Sequence, residues 1–344
     1  MADTTTVDFA LRSLAREGDE DWEAIEPDHI AVWSKASELL AFRSYEHESC
    51  RAVVRINWTP LVNRLSHLHD LRRTAHLTRS LASFDWSPFW EKMTVQASVS
   101  LSGENRLSQY DWYPSFFAEL YAYDVFTILN LAYPGSCNFF SLTISTKAGR
   151  VTHEPRLAGS AFDFAWVESR SGRWLSLKSL PLEEVLKWHS SLGLGTKQKA
   201  KTAVEKALFA LLHLCRREDY SDTVIWIFYA LEALVQTKVG ESVSGLVRRL
   251  ALLLSLDEPQ KANLNRLLRE LYDFRSAIVH GGYQVTHPIA QEVVDRRLED
   301  EYGRFFRLYQ FGFTLIVACL QSLVLKQWVD IEFLETMRGT DAAL

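Results

Sequence analysis

The chain of 344 residues is short of several residue types, and each shortage excludes something. Its four cysteines, Cys50, Cys137, Cys215 and Cys319, lie far apart in sequence, so neither a zinc knuckle nor a redox pair is suggested. Their surroundings are apolar or mixed, and a reducing cytosol is the simplest reading. Fifteen glycines and nine prolines are too few for a low-complexity or collagen-like chain. No sign of charge dominates: 38 Lys and Arg stand against 43 Asp and Glu, a net charge of −5. That excludes a wholly basic nucleic-acid coat but leaves local basic patches open. Long apolar runs are missing too. Residues 311–325 carry no charge, but at about 15 residues the run is short of the roughly 20 that a bilayer core requires, and it contains Thr314, Gln321 and Ser322. A buried core helix is expected there, with no membrane span. Residues 1–17 lack the apolar core of a secretory signal. There is no P-loop, no dinucleotide-binding glycine pattern and no nucleophile elbow, and no cofactor is expected.

What is abundant is aromatic and aliphatic surface. Eleven Trp and nineteen Phe promise large cores, and the length exceeds what one ordinary core holds, so two domains are expected. Residues 1–190 read as a mixed α/β domain of sensing or regulatory type and 196–335 as an all-helical domain; together they predict the α+β class. The stretch 191–195, Ser-Leu-Gly-Leu-Gly, is the linker candidate between them. In the first part, 28–41, 60–81, 114–132 and 182–190 have helical patterns, and Pro134-Gly135 lies just past the third. Residues 51–58, 93–101 and 138–146 read as strands, the second with Met93, Val95, Ala97, Val99 and Leu101 on one face. Residues 161–169 and 173–180 flank Arg170-Ser171-Gly172 as a hairpin. In the second part five helices are expected, at about 202–217, 222–236, 242–254, 258–280 and 299–328, with Ser221 or Asp222 capping the second. Short connections predict an antiparallel bundle.

The fourth of these helices carries the chemistry. Its apolar stripe is Leu264, Leu267, Leu268, Leu271 and Ile278, and Arg275 sits on it. A guanidinium facing a core needs a partner. Glu232, at the edge of the apolar face of the second helix, is the expected one, in a buried ion pair. His280 precedes Gly281-Gly282, which mark the helix end. Near that end the helix dipole favours the protonated imidazole, and a group poised near neutrality suits acid–base work. Ser276 is four residues before it, on the same face. Five helical residues turn about 500°, so Arg275 and His280 point roughly 140° apart, and one straight helix cannot easily aim both at one phosphate. Elsewhere, His67, His69, Asp70 and His76 do not have ligand spacing for a metal and read, with Arg64, Arg72 and Arg73, as a solvated basic face. Lys197, Lys199, Lys201 and Lys206, with Arg216 and Arg217, can track an RNA backbone or merely be solvated. Trp112 and Tyr113 can stack bases or pack a turn.

The five-helix pattern, Ala230-Leu231-Glu232-Ala233-Leu234, and the run Leu271-Tyr272-Asp273-Phe274-Arg275-Ser276-Ala277-Ile278-Val279-His280-Gly281 resemble the HEPN superfamily, and within it the Apea-like branch, over about residues 196–330. The resemblance implies a metal-independent endoribonuclease working as a homodimer through the HEPN bundle, with RNA as substrate and no metal. Arg275, Ser276 and His280 would be the catalytic positions, Glu232, Asp273 and Gly281 the supporting ones. The 2′-hydroxyl would attack the adjacent phosphate, His280 moving the proton and Arg275 countering the charge on phosphorus. A cytoplasmic bacterial defence or toxin effector is the setting it implies. Ser276 stands where active members usually have Asn, Asp or His. A non-catalytic HEPN protein that binds RNA, a nucleotide or a protein is therefore the alternative, with Arg275 and His280 structural or ligand-binding.

Overall fold

The computed structural model describes residues 3–12, 22–77, 85–103, 106–146, 152–216, 223–237, 243–287, 289 and 293–334. The class is α+β: the described residues hold six strands and eleven α-helices. They divide into two compact units, one of residues 1–199 and 212–218, the other of 200–211 and 219–344.

The first unit is built on one antiparallel sheet. Its strands are β1 (Asp3–Arg12), β2 (Phe42–His47), β3 (Cys50–Ile56), β4 (Lys92–Ser102), β5 (Thr143–Thr146) and β6 (Thr152–His153), in the spatial order β2-β3-β4-β1-β5-β6. Period-two alternation sets the register, because a slip of one residue would turn every apolar side chain to the other face. Val7 pairs with Ala97, Phe9 with Val95 and Val54 with Val99, all buried. Between them Arg51, Arg55 and Gln96 point to water. Helices α1 (Trp22–Leu39), α2 (Thr59–Leu77), α3 (Ser87–Trp90), α4 (Trp112–Ala132), α5 (Ser160–Arg170) and α6 (Leu182–Ser191) complete the unit. The almost wholly apolar α4 lies across β3, β4, β1 and β5, and α6 packs on α4. In the core Trp58 Nε1 donates to Tyr121 Oη at 2.7 Å, and Trp33 Nε1 donates to the Ser136 carbonyl at 2.7 Å. These bonds satisfy the polar ends of large buried rings.

Several expectations need correction here. Residues 160–170 are not a strand of a hairpin but the helix α5, and 173–180 form no strand. The buried residues are Ala161, Phe162, Ala165 and Trp166, the one-face spacing of a helix, which outweighs the aromatic strand propensity. The first helix starts at Trp22, ahead of Asp28, and runs through Pro27, losing one hydrogen bond for want of its N–H. Glu26 beside that proline anchors the turn: it is 4% exposed and binds Arg72 Nη1 at 2.8 Å and His69 Nδ1 at 2.8 Å. His69 and Arg72 are thus inward-facing partners of a carboxylate, not parts of a solvated basic face. Among the described residues no three His, Cys, Asp or Glu side chains cluster closely enough to hold a metal. Residues 78–81 of the expected second helix lie outside the described residues. The Ser-Leu-Gly-Leu-Gly stretch is part of the first unit rather than a free linker. The Thr196 hydroxyl just beyond it donates to the Glu46 carbonyl of β2 at 3.0 Å.

The second unit is helical: α7 (Ala203–Cys215, its last turn counted with the first unit), α8 (Thr223–Val235), α9 (Val243–Leu254), α10 (Glu258–Val279) and α11 (Arg297–Lys326). Helix α7 starts at a capping box: the carboxylate of buried Glu205 accepts from Thr202 N at 3.2 Å, and Thr202 Oγ1 accepts from Glu205 N at 3.2 Å. Ser221 and Asp222, the expected caps of α8, lie outside the described residues. Helix α11 is the one described helix long and apolar enough to cross a membrane, and 78% of its apolar window is buried against the protein. It packs on α8, α9 and α10, and Gly312 makes the close approach to α8: a Cβ there would lie 2.6 Å from Ile227 Cγ2.

Candidate functional site

Helix α10 is fixed at both ends by its sequence. Asp257 caps it, its carboxylate accepting from Gln260 N at 2.8 Å while Gln260 Oε1 accepts from Asp257 N at 3.2 Å. At the other end His280 has left helical geometry (φ −98°, ψ 10°) and Gly281 takes a φ of +72°, the left-handed conformation that ends a helix. The chain turns back so that Tyr283 N donates to the Ala277 carbonyl at 3.0 Å, and the Tyr283 ring meets Phe274 edge-on.

This frame sets Arg275 on the side of α10 facing α8. Its guanidinium carbon lies 5.2 Å from the centre of the Phe228 ring, and Nη1 is 3.7 Å from Glu232 Oε1. The ion pair is present, but not as a buried one: the two side chains are 31% and 39% exposed. The reason is position. Glu232 sits at the margin of the buried face of α8, and the last turns of α10 rise out of the core after Leu271. The Nε of Arg275 is buried and has no hydrogen-bond partner among the described residues. A guanidinium oriented by a ring face and a carboxylate, and 31% exposed, can present its terminal N–H groups to an oxyanion.

His280 is exposed. Its backbone N–H donates to the Ser276 carbonyl at 3.0 Å, and its imidazole has no partner among the described residues. Ser276 is half-buried, and Asp273 and Gly281 are exposed. Arg275 and His280 are thus on one helix end but are not joined by any contact within the chain. Lys197, Lys199 and Lys201 are exposed, the first two in the first unit and the third in the second. Trp112 is 40% exposed and stacks on Tyr110, whereas Tyr113 is buried in the core, which removes it as a base-stacking platform.

Two features of the helical unit were not foreseen. On α8, Ile225 and Tyr229 precede Glu232 at helical spacing, and on α10, Tyr272 and Val279 flank Arg275. These four apolar residues are between 40% and 55% exposed. The signal was in the sequence, since Ile225 and Tyr229 lie opposite the apolar face of α8, but only the packing shows which face is covered. Second, a depression of about 320 Å³ between α9 and α10 is lined by Arg248, Lys261 and Arg269 with Glu258. These cations are scattered over two helices in sequence and make no run.

Compared with protein-family models, curated proteins and solved structures, the chain matches none.

Proposed function

We propose that the chain is a HEPN-like endoribonuclease that cleaves RNA without a metal, as a homodimer in the cytoplasm of a bacterium, in a defence or toxin setting. One observation carries this reading: a part-exposed Arg275 oriented by Phe228 and Glu232 and an exposed His280, its imidazole without a partner among the described residues, share one helix end, with exposed Tyr272 and Val279 on the same helix and exposed Ile225 and Tyr229 on α8. The imidazole takes the proton from a 2′-hydroxyl as its oxygen bonds to the adjacent phosphorus. The bond to the 5′-oxygen breaks, and that oxygen receives the proton back from the same imidazolium. Arg275 stabilises the charge that builds on the phosphate oxygens. The divergent directions of Arg275 and His280 along a helix favour a site completed by a second copy, and the exposed apolar residues supply a surface for the two to meet. Cations at Arg248, Lys261 and Arg269 can hold the backbone away from the scissile bond, and Lys197, Lys199 and Lys201 are further candidates. Four free, buried cysteines fit the cytoplasmic assignment.

The test is cleavage of labelled RNA by the purified full chain in the presence of chelator. His280→Ala is expected to lower the rate about 100-fold or more, with folding unchanged because the side chain is exposed. Equal cleavage by both proteins, or none by the wild type, overturns the catalytic assignment.

The non-catalytic alternative, in which the unit binds RNA, a nucleotide or a protein, rests on Ser276, which stands beside Arg275 where active members of the HEPN superfamily usually have Asn, Asp or His. It predicts RNA retention without cleavage.

A further inference from the structure

The first unit holds a cleft of about 730 Å³ along the open edge of its sheet. Strand β2 is that edge, and residues 42–46 form one wall. Facing them are α6, through Leu186 and Ser190, and the loop 193–197, with Leu39 at the end of α1. The floor is tied down from within. Asp124 of α4 accepts from Tyr45 Oη at 2.8 Å and lies 2.9 Å from Arg43 Nε. His189 of α6, 3% exposed, turns Nε2 to the other carboxylate oxygen at 3.7 Å. The side chains of Arg43 and Tyr45 are thus committed inside the unit, and what the cleft offers is the backbone of the edge itself.

Register decides which backbone groups that edge presents. In an antiparallel pair, opposite residues alternate between those that exchange hydrogen bonds and those that do not. Ala41 and Ile56 are opposite in the β2–β3 register, and Ile56 N donates to the Ala41 carbonyl at 2.9 Å. Arg43, Tyr45 and His47 share the parity of Ala41 and bond inward to β3. The N–H and C=O groups of Phe42, Ser44 and Glu46 therefore point away from β3, on the side of the cleft. The Glu46 carbonyl agrees with this parity, since it accepts from Thr196 Oγ1 at 3.0 Å. The other N–H and C=O groups of these three residues have no partner among the described residues. Exposed edges are usually guarded by proline, lysine or a bulge. Strand β2 has none of these, and all six of its residues pair with β3 in unbroken register.

Charge complementarity narrows the occupant. The formal charges lining the cleft balance, Arg43 and Lys197 against Glu46 and Asp124. What remains is the row of edge dipoles, N–H positive and C=O negative, repeating every second residue. The complement of such a row is another extended backbone. Because α6 and the loop 193–197 stand opposite the edge, what enters is a single strand and not the edge of another sheet. We propose that an extended, uncharged peptide segment of a partner protein adds to β2 as a further strand, with apolar side chains at alternate positions. Main-chain bonds supply the affinity and the alternate side chains the specificity. On the cleft side those side chains meet Leu39, Leu186 and Leu194, each half-buried. The six residues of β2 span about 20 Å, so a hexapeptide covers the row, which Thr196 closes at Glu46.

The probe is a fluorescein-capped, amidated hexapeptide alternating threonine with leucine, titrated with the full chain and read by fluorescence anisotropy. Saturable binding with a Kd of about 1 mM or below is expected. On binding, amide hydrogen exchange should slow at Ser44 and Glu46, whose N–H groups point outward, more than at Arg43 and Tyr45, which are already bonded to β3. Two isomers, N-methylated at every threonine or at every leucine, separate strand pairing from mere apolar contact. Only one set of peptide amides can face β2, so one isomer should bind at least about tenfold more weakly than the other. Ser44→Pro deletes an outward N–H and no ladder bond to β3, so it should fold and weaken binding by about tenfold or more. If it loses its folded circular dichroism, Leu186→Asp on the facing wall and the two methylated peptides decide. No saturable binding, equal affinity of the two isomers, or affinity unchanged in the folded variants overturns the proposal. So does a wild-type dimer that Ser44→Pro takes apart, since the edge would then belong to a second copy. None of these readouts depends on RNA cleavage.

Discussion

At the scale of single residues, burial decides what each ionisable group is worth. Arg275 and Glu232 form the pair that the apolar stripe of the fourth bundle helix predicted, yet at 3.7 Å and about a third exposed it is screened by water. A buried pair would make loss of one partner cost several kcal/mol, whereas an exposed one is worth at most about 1 kcal/mol. Glu232→Ala is therefore expected to shift the melting temperature by only a few degrees, about 4 °C or less. A larger loss would show that the pair is drier than its exposure indicates. His189 is the opposite case. Its folded pKa lies below the ordinary value of 6.5, with burial as the main cause, Asp124 opposing and Arg43 adding. The unfolded chain therefore takes up the proton first. Stability is complete above 6.5 and falls as the pH drops below it, until the folded imidazole is itself protonated. Urea midpoints measured between about pH 7.5 and 5.5 should decline in the wild type and decline less in His189→Phe. Parallel declines would assign the slope to other groups.

At the scale of elements, the legible ones were those whose pattern was long and whose burial was one-sided. Val95, Ala97, Val99 and Leu101 announced β4, and the bundle helices agree with expectation to within two or three residues. Strand β1 escaped notice although Val7, Phe9 and Leu11 alternate, because Thr4, Thr5 and Thr6 and the intervening Asp8 and Ala10 dilute the run. Strand β2 buries only Tyr45, as an edge strand can, and leaves little periodic trace. Helix α5 was misread because Phe162, Phe164 and Trp166 alternate as well as a strand does. Phe164 proves 39% exposed, and the helical set with Ala161 and Ala165 is the buried one. Gly312 tests the packing between elements. On helix propensity alone, alanine would be preferred by up to about 1 kcal/mol. A Cβ there, however, lies 2.6 and 3.0 Å from two carbons of Ile227 and 3.2 Å from Leu271 Cδ2. Overpacking of that kind costs about 1–3 kcal/mol, so Gly312→Ala is expected to lower stability, by a net 0–2 kcal/mol or so, in chemical denaturation. A gain would mean that α11 can step back from α8 freely.

At the scale of the whole molecule, the sequence allowed a two-part α+β chain and the residues of the motif to be read, but not how that motif could work. Helical period alone placed Arg275 and His280 at divergent angles, and the folded chain leaves them without mutual contact. If the proposed nuclease is correct, the arginine of one copy must meet the histidine of the other, and this has a consequence that no single-chain mechanism shares. Mix Arg275→Ala with His280→Ala, each inactive alone, under conditions that let dimers exchange. In a mixed dimer one site loses both residues, and the other takes an intact arginine from the His280→Ala copy and an intact histidine from the Arg275→Ala copy. Random exchange makes half the dimers mixed, each with one complete site of two, so about a quarter of wild-type cleavage should return. A site built within one chain would recover nothing. A site that needs both arginines and both histidines at the two-fold axis would also stay silent, but the two differ in dilution: the first would keep its specific activity below the concentration at which dimers dissociate, and the second would lose it. Recovery near a quarter, lost when Tyr229→Asp places a charge on the exposed face of α8, would tie the chemistry to the apolar border around Arg275.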